Sequence, residues 1–356
     1  MGWLSSALYG SVFKSHLFGN PTIVSCDLEL NVFVLQNEEK LFQSSYPKPV
    51  HDILGKLSMM LVSGELHKKL RSVAVSFINV SKSRPDFLDY VDKMSVSLID
   101  SWKAKRQVFF FKEAKELTFY LMLKNLVSIE PKDPLAAKVL GDFLTFMEGF
   151  VSLPLYIPGT AYSKAINARR RISSTLQDII KRRENMVTGT HVRGDFLDEV
   201  LSNVCLNYEE KVSVLLDLLL AGYETTSGLM ALVVYFLAQA PSSLQKLQDE
   251  HKALRKRKED GEPLNWEDYK NMEFTSHVIN EALRCGNLVK FVHRKALKDV
   301  KFKGPSNKQK SDPLWRWTSD LSRGRTRWKT REDDFPISCP YLEFKKGLLL
   351  DIEQIE

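Results

Sequence analysis

An acid and two hydroxyls interrupt the longest apolar stretch of the chain, in the sequence Ala221-Gly222-Tyr223-Glu224-Thr225-Thr226. Glycine lowers helix propensity by about 1 kcal/mol relative to alanine, and a buried carboxylate is costly unless it has a partner. Threonine hydroxyls can hydrogen-bond to the preceding turn and bend a helix. The pattern predicts a groove beside a helix, with an acid–alcohol pair in it. A helix kink with a solvated Glu224 is the alternative that the spacing leaves open.

Two further pairs have helical spacing. Glu281 and Arg284 stand three residues apart, where an exposed ion pair contributes only about 0.3 kcal/mol. His67 and Arg71 stand four residues apart and share a helix face, which suits binding of a carboxylate or phosphate. A solvated surface pair and a solvated basic face are the respective alternatives.

The spacing of apolar residues predicts the elements that carry these side chains. A β-hairpin is expected around Gly19-Asn20-Pro21, and then a helix capped by Asp27, with Leu30, Val34 and Leu41 on one face. The further predicted helices are 86–104, 113–129, 136–150, 162–185, 208–240, 242–258 and 265–287. Short strands are expected within 295–304 and 335–350. The fold class is therefore mainly α with small β-sheets (α+β).

The composition is that of a globular protein. The 356 residues include 51 Lys and Arg against 44 Asp and Glu, a formal charge of +7, and 44% are hydrophobic. These values exclude a disordered chain, a collagen-like fibre and a multi-span membrane protein. The four cysteines are isolated and lack zinc-site spacing, which indicates a reducing compartment. They are Cys26, Cys205, Cys285 and Cys339.

No membrane anchor is expected. Residues 1–19 lack the basic start and long apolar run of a signal peptide. The stretch 212–240 contains Asp217 and Glu224, and a charge at the centre of a bilayer costs about 3 kcal/mol. A buried helix of a globular protein fits this stretch better than a transmembrane segment does.

The character of the sequence changes after Gly304. Residues 305–334 contain three of the six tryptophans and many basic residues, without a helical or strand period. Three regions are therefore predicted. Residues 1–304 form a helical domain with an amino-terminal hairpin, 305–334 form an atypical basic insert expected to be disordered, and 335–356 contain terminal strands.

The order of the motifs resembles that of the cytochrome P-450 family of haem-thiolate monooxygenases. Ala221–Thr226 is similar to the oxygen-activation helix of that family (A/G-G-x-D/E-T-T/S), and Glu281–Arg284 is similar to its E-x-x-R helix. His67 and Arg71 match its W-x-x-x-R helix, with histidine in place of tryptophan. Several longer stretches resemble the plant steroid 22-hydroxylases of brassinosteroid synthesis. They are Phe13–Pro21, Phe33–Tyr46, Leu153–Ala168, Asn280–Gly304 and, more weakly, Asp334–Leu350.

The resemblance implies a role for each matching residue. Glu224 and Thr225 would be the catalytic acid–alcohol pair that delivers protons during oxygen activation. The other implied roles are an oxygen and substrate groove at Ala221, Gly222 and Thr226, haem-propionate binding by His67, Arg71 and Arg294, and structural support from Glu281 and Arg284.

The resemblance also implies a cofactor, partners and a location. The cofactor would be haem, the substrate a sterol-type small molecule, and the electron donor a flavoprotein NADPH reductase. Basic clusters at 169–171, 181–183 and 255–258 suit an acidic partner. The family is found on the cytosolic face of the endoplasmic reticulum membrane. Without an anchor, this chain is expected to be peripheral or cytoplasmic.

Two elements of the family pattern have no counterpart in the sequence. One is the Pro/Arg segment after the E-x-x-R helix, and the other is the loop F-x-x-G-x-R-x-C-x-G, whose cysteine ligates the iron. Cys339, in Pro336-Ile337-Ser338-Cys339-Pro340, has neither the glycines nor the arginine of that loop and is a weak candidate ligand. The fold is therefore expected to be incomplete on the haem-proximal side, and monooxygenase activity is not expected.

Several interpretations follow. The chain is a sterol hydroxylase by ancestry, encoded by an incomplete gene model or a splice variant. The alternatives are a catalytically inactive truncated isoform that acts through protein interaction, and an abscisic-acid-type hydroxylase. Nucleic-acid binding by residues 305–331 is disfavoured because no nucleic-acid-binding motif accompanies the charge.

Overall fold

The computed structural model describes residues 10–17, 20–83, 86–186, 194–259, 262–289, 291–302, 336–338, 342–344 and 348–352. The helices are α1 (Leu28–Gln36), α2 (Lys48–Leu54), α3 (Gly64–Ser83), α4 (Phe87–Trp102), α5 (Phe110–Val127), α6 (Pro134–Glu148), α7 (Ala161–Met186), α8 (Phe196–Ser202), α9 (Tyr208–Ala238), α10 (Pro241–Arg255), α11 (Trp266–Lys270) and α12 (Glu273–Gly286). The strands are β1 (Val12–Leu17), β2 (Asn20–Ser25), β3 (Phe42–Ser44), β4 (Gln107–Phe109), β5 (Arg294–Ala296), β6 (Pro336–Ser338), β7 (Leu342–Phe344) and β8 (Leu349–Asp351). The predicted fold class, mainly α with small sheets, is confirmed.

The chain divides into two compact units, of which the first comprises Met1–Lys69 and Phe291–Thr318. Its predicted hairpin is confirmed, because β1 pairs antiparallel with β2 and Leu17 lies opposite Asn20. The predicted cap is also confirmed, since the Asp27 carboxylate accepts the Leu30 N–H at 2.8 Å. Leu41 was wrongly expected on this helix, which ends at Gln36. β3 pairs antiparallel with β5, which places Ser44 opposite Arg294.

The second unit comprises Leu70–Lys290 and Ser319–Glu356, and α9 forms its centre. This helix packs most extensively against α5 and also contacts α7, α10 and α12. The Tyr223 ring lies 5.0 Å from the ring of Phe143 on α6 and 6.2 Å from that of Phe119 on α5. Because α9 is surrounded by other helices, both the apolar and the acidic residues of its middle section are buried.

Among the described helices, only α9 is long and apolar enough to cross a bilayer. Half of its most apolar window is buried inside the protein, and a core helix meets the same test of length and composition. Asp217 and Glu224 are each 8% exposed. The helix is therefore weak evidence for a membrane span.

The carboxyl-terminal segments add small sheets to the second unit. β8 pairs antiparallel with β4, and β6 pairs with β7, so the strands expected within 335–350 are confirmed. Phe344 of β7 packs its ring on Phe111 of α5 and on Tyr235 of α9. The terminal strands thus contribute to the same core as α9.

The structure differs from the sequence predictions in three places. The helix expected over 265–287 is two helices, α11 and α12. The helix expected over 136–150 begins two residues earlier, at Pro134, where a proline has no N–H bond to lose. The helix α8 was not predicted. It begins at the N-cap Asp195, whose carboxylate also binds the buried Arg183 of α7 at 2.8 Å.

Candidate functional site

The acid–alcohol motif lies in the middle of α9, within an uninterrupted helix. The Thr225 hydroxyl donates a hydrogen bond to the Ala221 carbonyl one turn earlier, at 2.7 Å. Ala221, Thr225 and Thr226 are exposed and Gly222 is half-buried. These four residues form one stripe of the helix surface, and Glu224 lies outside it.

Glu224 turns into the protein. Its side chain is 10% exposed, and its Oε1 lies 3.1 Å from the Nζ of Lys115 on α5. The Lys115 ammonium also lies over the rings of Phe111 and Tyr223, at 4.5 Å and 5.3 Å from their centroids. The alternative of a solvated Glu224 is therefore wrong. The carboxylate is a buried, paired group.

One face of α5 packs against the motif of α9. Lys115, Thr118 and Met122 are spaced three and four residues apart, so they line one side of that helix. Lys115 pairs with Glu224, while the Thr118 hydroxyl donates to the Tyr223 carbonyl at 3.4 Å. A Cβ atom on Gly222 would lie 2.5 Å from Met122 Cγ and Sδ. Gly222 therefore allows α5 to approach α9 closely enough for the pair to form.

The buried carboxylate affects its neighbour on α9. Burial raises the pKa of the Tyr223 hydroxyl well above its ordinary value, and the charges of Glu224 and Glu116 raise it further. Tyr223 therefore stays protonated across the physiological range and contributes a ring and a neutral hydroxyl.

The E-x-x-R pair lies on α12 near its carboxyl end. Arg284 Nε donates to Glu281 Oε2 at 2.5 Å, and its Nη2 binds the other carboxylate oxygen. The hydrogen bond from Arg284 lowers the pKa of Glu281. Both side chains are more than a third exposed, at 44% for Glu281 and 37% for Arg284. The pair lies at the surface of α12, where Cys285 also contacts both side chains.

The predicted propionate-binding residues lie on two elements. His67 and Arg71 are one turn apart on α3, where His67 is half-buried and Arg71 is exposed. Arg294 begins β5, and its guanidinium faces the Glu38 carboxylate, with Nε 3.1 Å from Oε1. His293 packs its ring against Tyr46, and burial together with the Arg294 charge lowers the pKa of His293.

Two of the basic clusters that were expected to bind an acidic partner each contain one residue that pairs with carboxylates of the protein itself. Arg183 is 6% exposed and is held by Asp195 and Asp198. The Lys258 side chain is also 6% exposed and contacts Glu262 and Asp268, each at 2.8 Å. Neither side chain is available to a partner, which corrects the expectation for these two residues.

By their chemistry alone, the exposed hydroxyls of α9 suit the oxygen side of a haem, and the cations of α3 and β5 suit its propionates. The described residues include no counterpart of the family loop that ligates the iron. No group of three metal-ligating side chains occurs in the described ranges. Cys26, Cys205 and Cys285 are exposed free thiols, and none stands in a sequence of the form F-x-x-G-x-R-x-C-x-G. Cys339 and the insert 305–334 lie outside the described residues.

The architecture, a long central helix with an acid–alcohol motif inside a mainly helical protein, is that of haem monooxygenases. The fold matches the solved cyanobacterial CYP120A1, bound to retinoic acid, with a TM-score of 0.83 and 20% identity over 100% of this chain and 94% of that one. It also matches CYP102L1, with a TM-score of 0.66 and 17% identity over 84% and 72%. Identities this low show the fold alone.

The family model Cytochrome P-450 matches residues 5–311. The chain therefore belongs to the cytochrome P-450 family, whose cofactor is haem. It is 45% identical to rice cytochrome P-450 724B1, over 98% of this chain and 85% of the relative. It is 35% identical to cholesterol 22-monohydroxylase of Paris polyphylla (98% and 86%) and 33% identical to steroid (22S)-hydroxylase of japonica rice (98% and 81%). The resemblance to plant steroid hydroxylases is confirmed.

The alignment with the rice relative is longer than the chain itself, at 409 residues against 356. The relative therefore contains internal residues for which this chain has no counterpart. A chain that lacks the iron-ligand loop and the Pro/Arg segment would give this result.

Proposed function

We propose that this protein binds a sterol or a brassinosteroid precursor, the substrate class of the steroid hydroxylases that it resembles. The observation that carries the proposal is the arrangement of α9, where Glu224 is paired inside the protein and Ala221 and Thr225 form an exposed stripe. Relatives named for cholesterol and steroid hydroxylation, at 33–35% identity over nearly the whole chain, support the same class.

The residues of α9 have separate tasks in this proposal. The family reaction is a hydroxylation, for which bound haem supplies the redox chemistry of oxygen activation. Thr225 presents its hydroxyl at the exposed stripe and is oriented by its bond to the Ala221 carbonyl. Glu224 holds a negative charge behind that stripe, balanced by Lys115. Glu224 would have to take up a proton and turn away from Lys115 before it could donate that proton to the Thr225 hydroxyl.

The polypeptide in this form is proposed to bind ligand without thiolate-dependent hydroxylation. A cysteine thiolate donates the electron density that favours O–O cleavage, and no loop in this sequence matches the family's ligand loop. An inactive form that acts through protein interaction is the second candidate function, and this missing loop favours it. As partner and location for this protein we propose those expected for the family, a flavoprotein NADPH reductase and the endoplasmic reticulum membrane.

Ligand binding and haem ligation can be tested separately. Displacement of a fluorescent sterol by cholesterol, and not by abscisic acid, is expected if the substrate class is right. Displacement by abscisic acid alone would assign the protein to the hydroxylases of that acid. The reduced, carbon-monoxide-bound spectrum of haem-supplied protein is expected to lack the red-shifted thiolate band. Its presence would show that a cysteine reaches the iron, and sterol turnover would then be assayed.

A further inference from the structure

Glu38 and Arg294 form an ion pair in the first unit of the chain. Nε of Arg294 lies 3.1 Å from Glu38 Oε1, and Nη2 donates to Oε2 at 3.2 Å. On the other side of the guanidinium, Nη1 donates to the His293 carbonyl at 3.0 Å. The Arg294 side chain is 17% exposed, while that of Glu38 is 40% exposed. The arginine is therefore held on two sides and still reaches solvent.

The geometry leaves part of the guanidinium available. A guanidinium has five N–H donors in a planar fork. Glu38 faces the edge formed by Nε and Nη2, where Nη2 donates one N–H and the Nε–H makes no hydrogen bond. The His293 carbonyl accepts one N–H of Nη1, so Nη1 and Nη2 each keep a second N–H. The end of a guanidinium fork, formed by Nη1 and Nη2, has the shape that binds a carboxylate through two parallel hydrogen bonds.

The turn that carries Glu38 is itself fixed at two places. Glu38 pairs with Phe42 in an isolated β-bridge, next to the strand whose Ser44 lies opposite Arg294. The adjacent Glu39 carboxylate accepts the N–H of Gly64, the first residue of α3, at 2.7 Å. Neighbouring carboxylates thus attach one turn to both elements that carry predicted propionate-binding residues. This arrangement gives Glu38 a fixed position from which to orient Arg294.

We propose that Glu38 is a positioning residue that holds Arg294 by one edge and leaves the end of its fork for a carboxylate of the porphyrin. The inference rests on the proposed propionate-binding role of Arg294. Two physical effects of Glu38 oppose each other. Its charge repels an anionic ligand. Its ion pair with Arg294, however, already restricts the rotation of that side chain, so less conformational entropy is lost when Arg294 binds a ligand. The ordering of Arg294 is the larger effect, because the Glu38 carboxylate is exposed enough for solvent to screen its charge.

Protoporphyrin IX and its dimethyl ester test the proposal on the full chain by fluorescence titration. Neither probe contains iron, so the result does not depend on an iron ligand, and only the first carries carboxylates. Wild-type protein is expected to bind the diacid more tightly than the ester. Glu38→Gln is expected to weaken diacid binding about fivefold and to leave ester binding unchanged. Glu29→Gln, which removes an exposed charge in the first turn of α1, is expected to change neither.

Arg294→Gln completes the cycle. It is expected to bring diacid affinity down to that of the ester, and Glu38→Gln in that background is expected to have no further effect. Equal or tighter diacid binding by Glu38→Gln in the wild-type background would overturn the positioning role. The same affinity for diacid and ester in wild type, or binding of neither, would overturn the assignment of the carboxylate ligand. Sterol displacement is measured separately, so a wrong substrate class is distinguishable from either outcome.

Discussion

Lys115 and Glu224 show at the scale of single residues how the site is built. An isolated carboxylate in an apolar helix is costly, and the cost is offset here by an ammonium group that also lies over two aromatic rings. The pair places an ammonium group beside a buried carboxylate. Removing Lys115 would take away the opposite charge that lies against Glu224.

Lys115→Met is therefore expected to lower the free energy of unfolding by about 3 kcal/mol. The double variant with Glu224→Gln is expected to recover much of this loss, since no unpaired charge remains. Urea denaturation of the four proteins in the cycle measures the coupling. Lys112→Met is the control, because Lys112 stands on the same helix with a side chain that is 75% exposed. If Lys115→Met costs no more than the control, the buried pair contributes nothing to stability.

His293 makes stability depend on pH. Its pKa in the folded protein is lowered from the ordinary 6.5 by burial and by the Arg294 charge, so the unfolded chain binds the proton more readily. The stability gained from neutral His293 is present above pH 6.5 and is lost as the pH falls through the folded-state pKa.

The melting temperature is expected to fall between pH 7 and pH 5, with a smaller decrease in His293→Gln. Thermal unfolding of both proteins at half-unit pH steps measures the difference. Parallel curves for the two proteins would show that other groups cause the pH dependence.

At the scale of elements, the sequence predicted those helices and turns that depend on neighbouring residues alone. The Asp27 cap, the hairpin and the long helices follow from capping residues and apolar spacing. The break between α11 and α12 could not be predicted, because it depends on a residue of another helix. The Glu250 carboxylate of α10 accepts the N–H groups of Phe274 and Thr275, which begin α12, at 2.7 Å and 2.9 Å.

The same limit applied to the candidate site. The motif on α9 could be predicted from its residue types, and Gly222 was assigned to a groove. Its contact with Met122 and the partner of Glu224 both come from α5, about a hundred residues earlier in the chain. Long-range pairs of this kind leave no local pattern in a single sequence.

Glu250→Ala tests the cap between helices. It removes the acceptor for two backbone N–H groups and for the Thr275 hydroxyl, so α12 is expected to lose about 1 kcal/mol of stability. Hydrogen exchange of the first amides of α12 is expected to speed up. Gln248→Ala, an exposed change on the same helix, provides the comparison. Unchanged exchange at Phe274 and Thr275 would show that the cap does not hold the start of α12.

At the scale of the whole molecule, the described residues include polar and apolar side chains that the core does not cover. The motif of α9, which is a core helix, presents an exposed stripe at Ala221, Thr225 and Thr226. Large apolar side chains in the segments after α12 are also exposed. Val289 is 64% exposed, Phe291 56% and Val292 55%. Large contiguous apolar patches on folded proteins often mark places that a ligand or partner covers.

Haem-free protein is therefore expected to unfold over a broad temperature range and to bind the dye ANS, because a helical core facing an unfilled site loses close packing. Protoporphyrin IX is expected to sharpen the transition and raise its midpoint, since a ligand that binds only the folded state stabilises it. Calorimetry measures both effects through the ratio of van't Hoff to calorimetric enthalpy. Rice cytochrome P-450 724B1, loaded with haem, is the matched control and is expected to unfold cooperatively. A sharp two-state transition in the haem-free chain would mean that its core packs fully by itself, and that the exposed stripe of α9 is a surface feature and no part of a cofactor site.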